Sequence, residues 1–298
     1  MKRLIITGAA GFIGRHIIPF LLEKDYEIHA LYYGAKPDIA VASKNLFWHE
    51  CDLLNLTEQK KILSDIKATY LLHLAWHTVH KKYWTAIDNF AWVQASMELF
   101  KNFTESGGRR FIGAGTCAEY DWNYGYCSEN ITPLNPNTLY GFCKNSLREL
   151  LSRYANENGV SFAWGRIFFL YGPYEHPQRL VPYVIRSLLK NQTAQCSHGN
   201  QIRDFLHVED VASAFVRLIE CNVEDTVNIA SGIPITIKDL INKIAEKLNK
   251  AMHIKLGAIP ASDSDPKVLF GDASKLREDI GWEPRYDLDS GLAQTIKW

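Results

Sequence analysis

Neither sign of charge is in excess in this 298-residue chain: Lys plus Arg and Asp plus Glu number 33 each. Without a global field there is no electrostatic case for a nucleic-acid or membrane-surface partner, and a small neutral or anionic ligand is the expectation. No apolar run approaches the length of a membrane span. The six cysteines (Cys51, Cys117, Cys127, Cys143, Cys196, Cys221) make no Cys-x-x-Cys pair and no zinc-finger spacing with histidine, so no metal site is expected. The chain opens on an apolar strand without a signal-peptide pattern, which leads us to expect reduced thiols in the cytoplasm. Internal repeats and low-complexity tracts are also lacking. The length suffices for one large domain or two unequal ones with a substantial core.

What the chain does have is a glycine-spaced turn near its start. Residues 4 to 15 read Leu-Ile-Ile-Thr-Gly-Ala-Ala-Gly-Phe-Ile-Gly-Arg, an apolar strand running into Gly8, Gly11 and Gly14 and then a helix. Gly8 permits the tight turn, Gly11 lets the backbone approach a pyrophosphate, and Gly14 lets the helix pack on the strand. The helix N-terminus, with Phe12 and Ile13 in its first turn, offers free N–H groups to phosphate oxygens. Gly-x-x-Gly-x-x-Gly differs from the commoner Gly-x-Gly-x-x-Gly, and glycine turns also serve ordinary connections, so position supplies the weight. Pro19 predicts a kink in this helix unless packing tolerates it.

Strands and helices alternate through the first half: strands near 3 to 7, 27 to 32, 46 to 51, 69 to 74, 109 to 115 and 161 to 168. Helices are expected at 12 to 23, 57 to 65, 85 to 105 and 139 to 157. Short apolar runs between amphipathic helices predict an α/β, doubly wound parallel Rossmann sheet, with ligands at the carboxyl ends of its strands. After Tyr171-Gly172-Pro173 the rhythm shortens, which predicts a smaller substrate domain. The 203 to 231 segment reads as a return to the sheet. The expected division is therefore interleaved, with 1–170 plus about 203–231 binding dinucleotide and about 171–202 plus 232–298 binding substrate.

Tyr140 and Lys144 stand four apart on one helical face, where an ammonium can favour a phenolate and suit the phenol to acid/base work. Thr116 ends the strand at 109 to 115, where a hydroxyl could hold a substrate carbonyl oxygen.

These residues bring out a resemblance covering nearly the whole chain. It resembles an extended short-chain dehydrogenase/reductase of the nucleotide-sugar epimerase/dehydratase/reductase group. The matches are Thr7 to Gly14, Asp52-Leu53, His73-Leu-Ala75, Thr116 four before Tyr120, Tyr140-x-x-x-Lys144, Tyr171-Gly-Pro173, Arg203 to Asp210, and Gly281-Trp-Glu-Pro284. The resemblance implies that Tyr140 is the acid/base and that Lys144 lowers its pKa and binds the nicotinamide ribose. It implies that Thr116 positions the substrate oxygen, Asp52 and Leu53 meet adenine, Ala75 lines the cofactor groove, and Arg203 contacts the nucleotide or diphosphate. A homodimer through the helices at 85 to 105 and 139 to 157 is likewise implied, although packing within one chain explains much of their apolar surface.

Departures from the group narrow the function. Members preferring NAD carry an acid at the end of the second strand; here it is Tyr32, and with Arg15 after the last glycine and Lys36 nearby, NADP is expected, NAD being the alternative. Arg15 also reads as an exposed helix charge. The 4,6-dehydratases resemble Thr-Asp-Glu where this chain has Thr116-Cys117-Ala118, which argues against dehydration. The 3,5-epimerising reductases carry cysteine and histidine where this chain has Ala118 and Arg179. Asn is replaced by Phe169 beside the substrate phosphates, and an arginine clamp by Ala261-Ser262. Aromatic stretches at 73 to 84 and 120 to 126 flank the expected sugar pocket, either as its walls or as packing. The implied activity is NADPH-dependent reduction of a nucleoside-diphosphate 4-keto-6-deoxy sugar, with 4-epimerisation, reduction of an unrelated small carbonyl compound and a non-catalytic NADP-binding sensor as alternatives.

Overall fold

Strand-forming residues alternate between two buried faces from the first strand onward: Leu4 and Ile6 point into one hydrophobic cluster and Ile5 into another, all fully buried. A strand buried on both faces needs helices on both sides, and the computed structural model, which describes residues 2–35, 37, 39, 43–262 and 265–298, has them. Its first part comprises β1 (Lys2–Thr7), α1 (Gly14–Leu22), β2 (Tyr26–Tyr32), β3 (Leu46–Glu50), α2 (Leu56–Ile66), β4 (Tyr70–His73), α3 (Asp88–Glu105), β5 (Arg110–Thr116), β6 (Tyr126–Cys127), α4 (Leu139–Asn158) and β7 (Ser161–Ile167). Next come β8 (Phe169–Tyr171), α5 (Leu180–Leu189), β9 (Ala194–Gln195), β10 (Ile202–His207), α6 (Val208–Glu220) and β11 (Thr226–Ile229). The chain closes with β12 (Pro234–Thr236), α7 (Ile237–Lys247), β13 (Ile254–Lys255), β14 (Val268–Gly271), α8 (Ser274–Glu278) and α9 (Leu288–Lys297).

Seven strands form one parallel sheet in the order β11-β7-β5-β4-β1-β2-β3. The chain winds outward in both directions from β1, so the switch point falls between β1 and β4. On one face Ile17, Ile18 and Leu21 of α1 meet Val211 and Phe215 of α6; on the other, Leu63, Leu99, Phe100, Leu147 and Leu151 of α2, α3 and α4 pack against Ile5 and Phe111. Pro19 sits inside α1 without ending it, on the exposed side, where water can serve the carbonyl it leaves unpaired.

The 203 to 231 segment divides its allegiance. Its strand β10 joins a smaller sheet, β12-β10-β14-β6 with β8 also on β10, while α6 covers the large sheet and β11 extends it. Pairing of β6 with β14 joins chain positions over 140 apart, which no local pattern announces.

A buried ion pair ties the two sheets. Glu119, fully buried after β5, accepts from Arg166 Nε of β7 at 2.7 Å, from Trp164 Nε1 at 3.0 Å and from the Thr116 backbone N–H at 2.9 Å. Arg166 donates to the Tyr120 hydroxyl (3.0 Å), Tyr120 to Asn228 Oδ1 (2.8 Å), and Asn228 to the carbonyls of Cys127 and Asp272 beside the smaller sheet. A Cβ on Gly113 or Gly115 would strike the Trp164 ring at 2.2 and 2.1 Å, so those glycines make room for the indole. Glu119→Ala leaves Arg166 buried and uncompensated and is expected to cost about 3–5 kcal/mol in urea denaturation. Adding Arg166→Met is expected to recover part of that loss.

Candidate functional site

The end of β1 and the end of β4 are held together by side chains. The Thr7 hydroxyl lies 2.7 Å from His73 Nδ1 and accepts from the backbone N–H groups of Leu74 and Ala75 at 3.2 Å each. His73 Nε2 in turn meets Ser96 of α3 at 2.9 Å, and burial keeps this ring neutral, down to about 3. Gly8, at φ 69°, lies so close that a Cβ would come within 2.8 Å of Ala75 N, and one on Gly14 would reach Gly8 O at 2.3 Å. The glycine turn is therefore a backbone cradle with no room for side chains.

Beside it opens a cavity of about 260 Å³ lined by Gly8, Gly11, Tyr32, Asp52, Leu53 and Ala75 among others. This groups the glycines with the second-strand terminus and the expected adenine contacts. Phe12 and Ile13 follow Gly11 and lead into α1, half-buried. A nucleotide's adenosine half fits the mostly apolar lining of this cavity, with Asp52 and the glycine-turn backbone as its polar groups. Arg15 goes elsewhere. Its guanidinium stacks on Tyr174 at 4.0 Å and donates to the carbonyl of Ala10, a residue of the cavity wall, so the cation expected for a 2′-phosphate rests against the loop after β8. Lys36 lies outside the described residues.

The three polar candidates converge at the carboxyl end of β5. Thr138 caps α4, and a Cβ on Gly141 would strike Ala118 O at 2.1 Å, so the glycine lets the helix start run against the Thr116 to Glu119 turn. That approach sets Tyr140 beside Thr116. The Thr116 hydroxyl accepts from Ala118 N–H, which leaves its own hydrogen to donate. Burial pushes the Tyr140 phenol well above the ordinary tyrosine value, Tyr83 adds to this, and Thr116 pulls the other way. Burial therefore sets the direction for the phenol in this structure, an effect invisible in an i,i+4 spacing. Lys144 Nζ donates to Ala114 O at 2.9 Å, and burial brings the ammonium down to about 7 against the opposing influence of Glu119.

The expected substrate contacts are scattered and largely committed. Arg203 is buried, pairs with Asp265 at 2.6 Å and lies over Phe169, its carbon Cζ 5.2 Å from the ring centre. Its charge is paired with Asp265, with which a diphosphate would compete. Arg179, exposed at the start of α5, acts on the Tyr83 hydroxyl, itself pushed up to about 12 by burial. Tyr83 packs edge-on against Tyr140 at 5.0 Å, and Trp84 does so at 5.7 Å. The aromatic stretch at 73 to 84 therefore walls the phenol. Sequence reading missed Glu119, Arg166 and Asn89; the small residues of Phe111-Ile-Gly-Ala-Gly-Thr116 were the one trace of the first two.

A parallel α/β sheet with a glycine cradle at its switch point defines the Rossmann class. The chain belongs to the NAD dependent epimerase/dehydratase family, whose model matches residues 4–230. It is 25% identical over 303 residues to CDP-abequose synthase of Salmonella typhimurium, covering 99% of this chain and 97% of that one. It is 25% identical to dTDP-6-deoxy-L-talose 4-dehydrogenase (NAD(+)) of Aggregatibacter actinomycetemcomitans, covering 90% and 98%. Among solved structures, MoeE5 in complex with UDP-glucuronic acid and NAD superposes with a TM-score of 0.87 at 26% identity, covering 100% and 98%.

The sign of the Lys144 shift makes a prediction. An unfolded chain binds more protons than the folded one between about 7 and the ordinary lysine value of 10.5, so burial of this group penalises folding fully below about 7 and ceases to do so above 10.5. Lys144→Met is therefore expected to raise Tm by about 3 °C near pH 6, and less near pH 10, in calorimetry.

Proposed function

We propose that the protein is an NADPH-dependent 4-ketoreductase of a nucleoside-diphosphate 4-keto-6-deoxy sugar. The observation that carries this reading is the convergence of Tyr140, Thr116 and Lys144 next to the Gly8–Ala75 cradle. The relatives support the sugar class: CDP-abequose synthase acts in a nucleotide-sugar context, and the talose enzyme is a 4-dehydrogenase of a 6-deoxy sugar. The aromatic walls suit a sugar face and a methyl group better than a second charge.

A bound nicotinamide supplies hydride to the carbonyl carbon. The chain does the rest. Thr116 donates a hydrogen bond to the carbonyl oxygen and Tyr140 delivers its proton to that oxygen as negative charge develops, so hydride plus proton complete the alcohol. The buried phenol starts protonated, and a positive charge beside it eases the loss of its proton. Lys144, in its protonated form, puts a positive charge beside the resulting phenolate and has donors left for the ribose hydroxyls. The cofactor preference rests on Tyr32, where no carboxylate stands to repel a 2′-phosphate. The domain division at about 170, 203 and 231 and a homodimer through the exposed Phe90, Met97, Phe142 and Leu150 of α3 and α4 belong to the same reading.

With NADPH and a panel of nucleoside-diphosphate 4-keto-6-deoxy sugars, stoichiometric loss of NADPH absorbance is the expected result. Tyr140→Phe is expected to lower kcat by about 10²–10⁴-fold. Interconversion of 4-hydroxy sugars with no net cofactor loss would make the protein a 4-epimerase instead. Wild-type protein is expected to bind NADPH more tightly than NADH, and Tyr32→Asp to shift that ratio by about tenfold toward NADH in fluorescence titrations.

A further inference from the structure

Lys144 is a buried cation whose nearest favourable charge is already committed. Glu119 acts on it only through space and is paired with Arg166 at 2.7 Å. His73 on β4 is neutral, Tyr140 on its own helix is a neutral phenol, and the thiol of Cys117 is pushed up by burial. One of the three ammonium hydrogens goes to Ala114 O. What faces the charge from the loop after β4 is an indole: Lys144 Nζ lies 3.8 Å from the centre of the Trp76 ring, with Trp164 on β7 farther off at 5.7 Å.

Trp76 is held through Asn89, itself fixed by two further hydrogen bonds. Its Nε1 donates to Asn89 Oδ1 at 2.9 Å, and the Asn89 amide donates to the carbonyls of Tyr83 and Ala86 at 2.8 Å each. Asn89 is fully buried at the start of α3, with its side-chain oxygen and both amide hydrogens used. The same loop is pinned to α4 where Tyr140 N–H donates to Trp84 O at 3.1 Å. The indole thus has a fixed face toward the ammonium, and Ala75 immediately before it lines the dinucleotide cavity.

We infer that Trp76 is a positioning residue that holds the Lys144 ammonium, charged and aimed, by the face of its indole, with Asn89 fixing the indole. This rests on the reading of Lys144 as a functional lysine, but the geometry stands without it. A ring face attracts a dehydrated cation strongly while accepting none of its protons, so two N–H groups stay free for ribose hydroxyls.

The test follows Lys144 directly, by 13Cε NMR of lysine-labelled protein, with the resonance assigned by its loss in Lys144→Met. Trp76→Leu is expected to lower the Lys144 titration midpoint by about one pH unit, a tenfold loss in protonation constant. Trp76→Phe, which keeps a ring face, is expected to lie between Leu and wild type, and Asn89→Ala to shift the midpoint in the same direction by less. In parallel, NADPH binding by Trp76→Leu is expected to weaken with a pH dependence displaced downward by the same interval. An unmoved midpoint in folded Trp76→Leu overturns the inference. So does a midpoint that rises, which would mean that the indole excludes water and does not hold the charge. Should Trp76→Leu fail to fold, Trp76→Phe and Asn89→Ala decide between the same outcomes. Absence of sugar turnover in the wild type would refute the proposed reductase while leaving this titration intact.

Discussion

The Glu119–Arg166 pair is the constraint from which the site is built. Two opposite charges taken fully out of water repay their dehydration only when nearly every donor and acceptor is used, and here the Glu119 carboxylate takes three hydrogen bonds from Thr116, Trp164 and Arg166. The bond to the Thr116 backbone closes a capping box with the Thr116 side chain, so the same carboxylate that neutralises Arg166 fixes the turn presenting the candidate hydroxyl. Through Tyr120 and Asn228 the network then reaches the carbonyls of Cys127 and Asp272. Slack in this pair would be felt at Thr116 and in the seating of the smaller sheet together.

The large sheet was legible in the sequence because its signals are local. Each strand is a short apolar run, and Gly8, Gly11 and Gly14 announce a close approach that the backbone distances bear out. The second sheet was not, since β6 pairs with β14 across the chain and β10 leaves the rhythm of the helix that follows it. At the site, spacing put Tyr140 and Lys144 on one face correctly. It could not say that both would be buried, and burial raises the phenol. Arg15 and Arg203 show the same limit in another form: a cation is visible in sequence, but its partner, Tyr174 or Asp265, lies 159 or 62 positions away. Where the partner is distant, the cation reads as unpartnered, and for Arg203 as available, when Asp265 already neutralises it.

Available charge is the scarce quantity in this site. Arg203 is neutralised by Asp265, and Arg166 by Glu119. Lys144 alone among these three is offered a carbonyl and two indole faces, one of them at 3.8 Å, in place of a carboxylate in contact. Had a carboxylate stood where Trp76 stands, it would have taken the ammonium's hydrogens and cancelled its field at Tyr140. An aromatic face lowers the cost of the buried cation without doing either. The aromatic segment from Trp76 to Trp84 therefore reconciles two demands that conflict in a dry pocket: walls apolar enough to exclude water from the phenol, and an environment in which a lysine beside it can remain charged.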